Sequence, residues 1–193
     1  MNWTSKINEI GKCLRFLAAS RGDAGEITVE DAFGMWMDMT IHIREEKRTI
    51  FLIGNGASAS MASHVAADLA KNGHVHTEVF SDLSLITAIA NDLSYDEVFA
   101  EPLRRRMKSG DMLVAISSSG QSVNVLRAAE EARKLDGVVV TLSAMKGNNP
   151  ITSKGDLNFY VPASTYSLAE TCHAAILHHW IDKIVERNSQ NKP

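Results

Sequence analysis

The sequence predicts an α/β protein: a three-layer α/β/α sandwich around a mostly parallel sheet, with a helical N-terminal extension. Three observations predict it. From Thr49 onward, short apolar runs alternate with helical patterns, the order that parallel strands with right-handed crossovers require. The strongest runs, Thr49–Ile53 and Met112–Ile116, are continuous, as in strands covered on both faces. Each of these two runs stops at a loop of small residues, Gly54-Asn55-Gly56-Ala57-Ser58 and Ser117-Ser118-Ser119-Gly120-Gln121-Ser122, and a helical pattern follows at once.

The elements follow in order. Ile7, Ile10, Leu14, Leu17 and Ala18 recur at helical spacing, predicting a first helix from about residue 3 to 20. Arg21-Gly22-Asp23-Ala24-Gly25-Glu26 breaks it, and Thr28 with Asp31 forms a capping box (Asp in place of Glu) that opens a second helix to about Lys47. Phe33, Met35, Trp36, Met37, Met39, Ile41 and Ile43 cover more than one face of that helix, which fits either a subunit contact or a helix laid across its own sheet. Beyond the first strand come a helix from about Ser58 to Lys71, a strand near His76–Phe80, and a helix or loop over Asp82–Asn91. A helix over Tyr95–Lys108, the second strong strand and a helix over Val123–Leu135 follow. Strands at Gly137–Ser143 and Leu157–Val161 and a last helix over Ser167–Arg187 complete the pattern. The whole reads as one domain: helices over 1–47, the sandwich over 48–187 and a polar tail over 188–193.

Composition narrows the function. The chain has 193 residues, 45% hydrophobic and 22% charged, ordinary for a globular protein with a real core. A formal charge of −3 gives no electrostatic basis for nucleic-acid binding, and the short run Arg104-Arg105-Arg106-Met107-Lys108, preceded by Glu97 and Glu101, reads as a solvated helix face. Two cysteines, Cys13 and Cys172, make no disulfide framework and fit a reducing compartment. No run approaches the roughly 18–20 apolar residues of a membrane span, and the residues after Met1 lack the apolar core of a signal peptide. A cytoplasmic protein without nucleic-acid or membrane partners is expected.

The loops carry the chemistry. Helix N-termini present unpaired N–H groups and the positive end of the helix dipole, so an anion fits where Ser117–Ser122 hands over to a helix. Serine hydroxyls add donors without charge, which suits a phosphate that must bind and leave. In an open parallel sheet both loops lie at the carboxyl ends of strands, where ligands sit. Gly54 and Gly56 permit tight backbone, while Asn55 and Ser58 offer donors. The first loop lacks the lysine of a Walker A loop and has Ala59 where a dinucleotide fingerprint needs its third glycine. A small phosphorylated ligand is expected, not a nucleotide.

These loops, together with Thr87-Ala88-Ile89-Ala90-Asn91-Asp92, Tyr95, Glu97-Val98-Phe99 and Asn124-Val125-Leu126, resemble the sugar isomerase (SIS) domain. Within it the chain is similar to the phosphoheptose isomerases, over almost its whole length. The resemblance implies interconversion of sedoheptulose 7-phosphate and D-glycero-D-manno-heptose 7-phosphate, a homotetramer, and zinc held by a His and a Glu on one helix and a Gln and a His on the last. A non-catalytic SIS module binding a phosphosugar or a protein, or an isomerase of another sugar phosphate, is the alternative.

His64 and Asp68 stand four apart on one helical face, and the last helix carries Glu170, His173, His178 and His179. The family pattern places His64 and His178 on its histidines. Asp68 stands where Glu is usual, Glu170 where Gln is usual, and Thr171 replaces a Glu. His64, Asp68, Glu170 and His178 would then make a two-His, two-carboxylate metal set. In the isomerase chemistry so implied, Asp68 or Glu170 is the base and His178 its acid partner. Ser117, Ser118, Ser119 and Ser122 hold the phosphate, and Asn55, Gly56, Ser58 and Asp92 line the sugar. No organic cofactor is required.

Overall fold

A computed structural model describes residues 2–190. Residues 191–193 of the expected polar tail lie outside the described residues, while 188–190 continue the last helix. The helices are α1 (Trp3–Arg15), α2 (Val29–Glu45), α3 (Ala57–Asp68), α4 (Leu83–Asp92), α5 (Ala100–Arg106), α6 (Val123–Lys134) and α7 (Tyr166–Gln190). The strands are β1 (Ala18–Arg21), β2 (Gly25–Ile27), β3 (Thr49–Gly54), β4 (His76–Val79), β5 (Met112–Ser117), β6 (Val138–Ala144) and β7 (Leu157–Val161). They form one sheet in the order β2-β1-β7-β6-β5-β3-β4. Five strands, β7 through β4, run parallel, and β1 pairs antiparallel with both β2 and β7. The expected mostly parallel three-layer sandwich is what forms.

Successive strand residues feed opposite layers. Ile50, Leu52, Val114, Ile116, Leu142 and Phe159 pack with α2, α3 and α7, while Phe51, Ile53, Leu113, Ala115 and Val139 pack with α5 and α6. Two buried faces on each strand explain why the runs are continuous.

Four elements differ from the expectation. The first helix stops at Arg15, and residues 18–27 form a β-hairpin. Ala18, Ala19 and Ser20 pair with Tyr160, Phe159 and Asn158, so the otherwise open edge of β7 overrides helical periodicity. Gly22 and Gly25, both at positive φ, turn the hairpin where a helix break was read. The helix expected over Tyr95–Lys108 is a 3-10 turn (Tyr95–Glu97) followed by α5. Pro102 has no N–H to give Val98, so it fits only in the first turn of a new helix. The helix from Ser58 ends at Asp68 and closes with a π-turn over Leu69–Gly73, held under α7 by buried Leu69. The capping box is half made. Thr28 Oγ1 accepts from Asp31 N at 3.1 Å, but the Asp31 carboxylate accepts from the Thr28 hydroxyl at 2.6 Å instead of reaching back to the backbone.

Helix α2 lies across its own sheet. Trp36 stacks on Trp180 of α7 at 4.0 Å, and Thr40 accepts from Trp180 Nε1 at 3.0 Å while donating to Trp36 O. The arginine run is ion-paired: Arg104 meets Glu97, Glu101 and Glu131, and Arg106 meets Glu78. Cys13 and Cys172 are buried and free, and burial pushes the Cys172 thiol up to about 11. Among the described residues no helix is long and apolar enough to cross a membrane.

Gly120 has φ +64°, and a Cβ there would sit 1.9 Å from Asn149 Oδ1. Gly120→Ala should therefore cost about 2–3 kcal/mol, lowering Tm by several degrees, on the strain and steric terms together. A melt within about one degree of wild type would show that the serine loop relaxes freely.

Candidate active site

The strand order turns back between β3 and β5: β4 lies on one side of β3, while β5, β6 and β7 extend on the other. The chain ends of β3 and β5 thus flank a crevice, and both unusual loops open onto it. At Gly54 an added Cβ would lie 2.5 Å from Ser58 Cβ and 3.0 Å from Ile116 O, so only glycine lets the start of α3 pack against the end of β5. Gly56, at φ +55°, then turns the chain into α3.

The two loops are tied by a reciprocal amide pair. Asn55 Nδ2 donates to Asn124 Oδ1 at 3.0 Å, and Asn124 Nδ2 donates to Asn55 Oδ1 at 2.9 Å. The Tyr95 hydroxyl donates to the same Asn55 oxygen at 3.1 Å. One N–H of Asn55 remains for a ligand.

The serine loop is shaped from within. Gly120 N donates to Ser117 O at 2.9 Å, Gln121 N to Ser119 Oγ at 3.2 Å, and Ser117 Oγ to Ser122 Oγ at 3.3 Å. Ser122 is the N-cap residue of α6, yet its hydroxyl makes no bond to the helix. The cap is thus left available for an anion. Ala144 N donates to Ser118 O, and Ile151 N to Gly120 O, so β6 and the turn behind it brace the loop.

A cavity of about 180 Å³ lies here, lined by Asn55, Ser58, Ser117, Ser118, Ser119 and Ser122 from the two loops, with Tyr166 and Glu170 from α7. Six of the eight expected binding residues therefore converge. Gly56 and Asp92 are outside the lining. Gly56 acts through backbone geometry, and Asp92 is exposed at the end of α4, accepting from Asn91 Nδ2. A larger cavity, about 440 Å³, lies between α1 and the start of α7, lined by Glu9, Lys12, Cys13, Phe16 and Leu168. It touches neither loop, and the convergent polar groups are at the smaller one.

Further along α3 and α7, His64, Asp68 and His178 place their ligand atoms within 4.8 Å of one another. His64 Nε2 is 3.4 Å from Asp68 Oδ2, and the His64 and His178 rings are 5.4 Å apart. Two imidazoles and a carboxylate, partly exposed, are groups that could hold a metal such as zinc, and the 3.4 Å between His64 and Asp68 is close to an edge of a tetrahedral site. Glu170 does not join this cluster. It stands beside the serine loop, two turns or roughly 12 Å of helix rise before His178.

A sequence-family model described as the SIS domain matches residues 24–144. The phosphoheptose isomerase of a Shewanella species is 33% identical over 170 residues, 84% of this chain and 86% of that one. The solved phosphoheptose isomerase GmhA of Neisseria gonorrhoeae superimposes with a TM-score of 0.81 at 28% identity, covering 94% of this chain and 96% of that one. The Francisella tularensis phosphoheptose isomerase shares the fold at TM-score 0.80 and 21% identity, over 96% and 100% of the two chains.

The chain belongs to the SIS family of phosphoheptose isomerases. It is thereby an enzyme of the isomerase class. Three residues of this SIS site were given no site role by the sequence reading, although Asn124 belonged to the resembling motifs. Asn124, whose amide faces Asn55, could have been found as an asparagine on the buried face of an amphipathic helix. Asn149, donating to Lys146 O at 2.7 Å under the serine loop, and Tyr166 had no signal of their own.

His173 is a core residue. It is fully buried, with Nε2 3.2 Å from Ser143 O, and desolvation lowers its pKa from 6.5 to about 4. His179 packs edge-on against Phe33. Because the folded pKa of His173 is depressed, the unfolded chain binds the extra proton first as pH falls. Its neutral burial is harmless above pH 6.5 and becomes a loss between 6.5 and about 4, worth a few kcal/mol at the acid end. His173→Gln should show a shallower fall in unfolding free energy from pH 7 to 5 than wild type in urea titrations. An identical fall would place the charge of His173 in the folded state already.

Proposed function

We propose that this family member interconverts sedoheptulose 7-phosphate and D-glycero-D-manno-heptose 7-phosphate through an enediolate. The observation that carries the reading is the cavity itself: an anion cradle of hydroxyls at the start of α6, with no Lys or Arg among its lining residues, sharing its space with a carboxylate, while two histidines and a second carboxylate cluster further along α3 and α7. Such a cradle holds a phosphate as a handle and takes no part in chemistry at the sugar.

The reaction needs only proton movement. A carboxylate, Asp68 or Glu170, takes the proton from C1 of the ketose. The C–H pair becomes the C1–C2 double bond, and the C2 carbonyl pair moves to oxygen. The same proton returns to C2 while the O1 proton passes to O2, with His178 serving that exchange. Atoms and charge balance without an organic cofactor. Zinc held by His64, Asp68 and His178 would supply stabilisation of the enediolate oxygens. Asn55 and Ser58 orient hydroxyls from the first loop. We also propose a homotetramer, supported by exposed Trp3 and Ile7 on α1 and Phe16 at its end, and a cytoplasmic site of action, supported by two free cysteines.

Purified protein incubated with sedoheptulose 7-phosphate, with and without added zinc, should form the aldose, and chelation should slow it. His178→Ala should lower kcat by about a hundredfold or more. Ser119→Ala should raise KM by about tenfold with kcat near wild type, since it removes a uniform phosphate contact. Binding of the ester without turnover in the wild type would overturn the catalytic reading in favour of a non-catalytic sugar phosphate module.

A further inference from the structure

We propose that Cys13 and Cys172 form an oxidant-responsive thiol pair, which closes to a disulfide when a peroxide reaches Cys13 and thereby shifts the start of α7. Neither residue has a part in the chemistry described above. The link to catalysis rests on the isomerase reading; the bond itself does not.

Placement carries the proposal. The chain has two cysteines, one near each end. The fold buries both in the same core layer, where α1 packs on α7. Leu168 and Cys172 stand four apart on one face of α7. Leu168 in turn lines the same cavity of about 440 Å³ as Cys13. The Cys13 thiol donates to Pro162 O at 3.7 Å, in the segment that leads into α7. The two thiols are near enough to act on each other: burial, and after it the neighbouring Cys13, push the Cys172 thiol up.

The two cysteines differ in access. Cys13 lines the cavity, whereas Cys172 is fully buried behind it. An oxidant therefore meets Cys13 first, and Cys172 is placed as the resolving partner. The Cys13 sulfur attacks one oxygen of hydrogen peroxide, the O–O bond breaks, and the thiol proton leaves with the other oxygen as water. The Cys172 sulfur then attacks the Cys13 sulfenic acid. The S–O bond breaks, and the departing hydroxide takes the Cys172 proton as a second water. Two thiols are oxidised and one peroxide is reduced. A dithiol reverses the change by exchange. In a reducing compartment such a bond is transient, as in redox sensors.

The bond holds its sulfurs at about 2.05 Å, well inside the contact distance of two thiols. Closing it draws Cys172 toward α1. Tyr166 and Glu170, which line the serine-loop cavity from the same end of α7, move with it, because close-packed interiors transmit strain.

The test treats the purified protein with hydrogen peroxide and reads intact mass and turnover of sedoheptulose 7-phosphate before and after dithiothreitol. Wild type should lose about 2 Da, with peptides of Cys13 and Cys172 joined, and Cys172→Ala should instead gain about 16 Da at Cys13, trapped by dimedone. Turnover of oxidised wild type should fall about tenfold or more and return with dithiothreitol, since small misplacements are costly, while peroxide-treated Cys13→Ala keeps its rate. Stepwise gains of oxygen in wild type without the joined peptides would overturn the pair. A joined pair with unchanged turnover would overturn the link to the site. A wild type that forms the bond but never turns over the sugar phosphate, even when reduced, would sink the isomerase reading and leave the thiol pair standing.

Discussion

Everything in this site depends on how closely the ends of β3 and β5 approach. Gly54 has no room for a Cβ, because Ser58 and the Ile116 carbonyl already occupy that space. The approach brings the N-termini of α3 and α6 side by side, and the Asn55–Asn124 exchange fixes their spacing. From that anchor α3 runs outward with His64 and Asp68 on one face. Helix α7, held against the same layer through Trp180 and its stack on Trp36, brings Glu170 to the near end and His178 to the far end. One backbone contact thus sets both where the serine loop lies and how α3 carries His64 and Asp68 away from it.

The charge pattern follows the same logic. On the proposed reading, hydroxyls and helix amides would bind the phosphate without a cation in the lining, so the ligand would be held by direction more than by net charge. That leaves room for carboxylates nearby, which a lysine-rich pocket would draw into ion pairs. The arginines of α5 are spent on Glu97, Glu101, Glu131 and Glu78 instead, on the face built by the other core layer.

Much of this was legible in the sequence. The strands of the parallel sheet announced themselves as continuous apolar runs, because both faces of each are buried. The two loops were legible because glycine and serine clusters at strand ends have few other uses. The hairpin over 18–27 was not. Ala18-Ala19-Ser20 carries no strand signal, and only the unpaired edge of β7, distant in sequence, makes it one. The site shows the same division. His64, Asp68 and His178 were found by helical spacing and family pattern, and the fold gathers them. Glu170 was grouped with them by pattern, but two helical turns separate it from His178. That separation, eight residues at about 1.5 Å of rise, is itself readable from the sequence; the neighbours it gives Glu170, beside the serine loop, come from the fold. Asn149 and Tyr166 were invisible because their roles come from loop packing alone.

The most direct test is a crystal structure of the protein with sedoheptulose 7-phosphate. The phosphate should lie on the backbone and hydroxyls of residues 117–122, with the sugar passing Glu170 and its first two carbons at His64, Asp68 and His178. A ligand lodged instead between α1 and the start of α7, beside Lys12, Cys13 and Phe16 with the serine loop empty, would contradict the account.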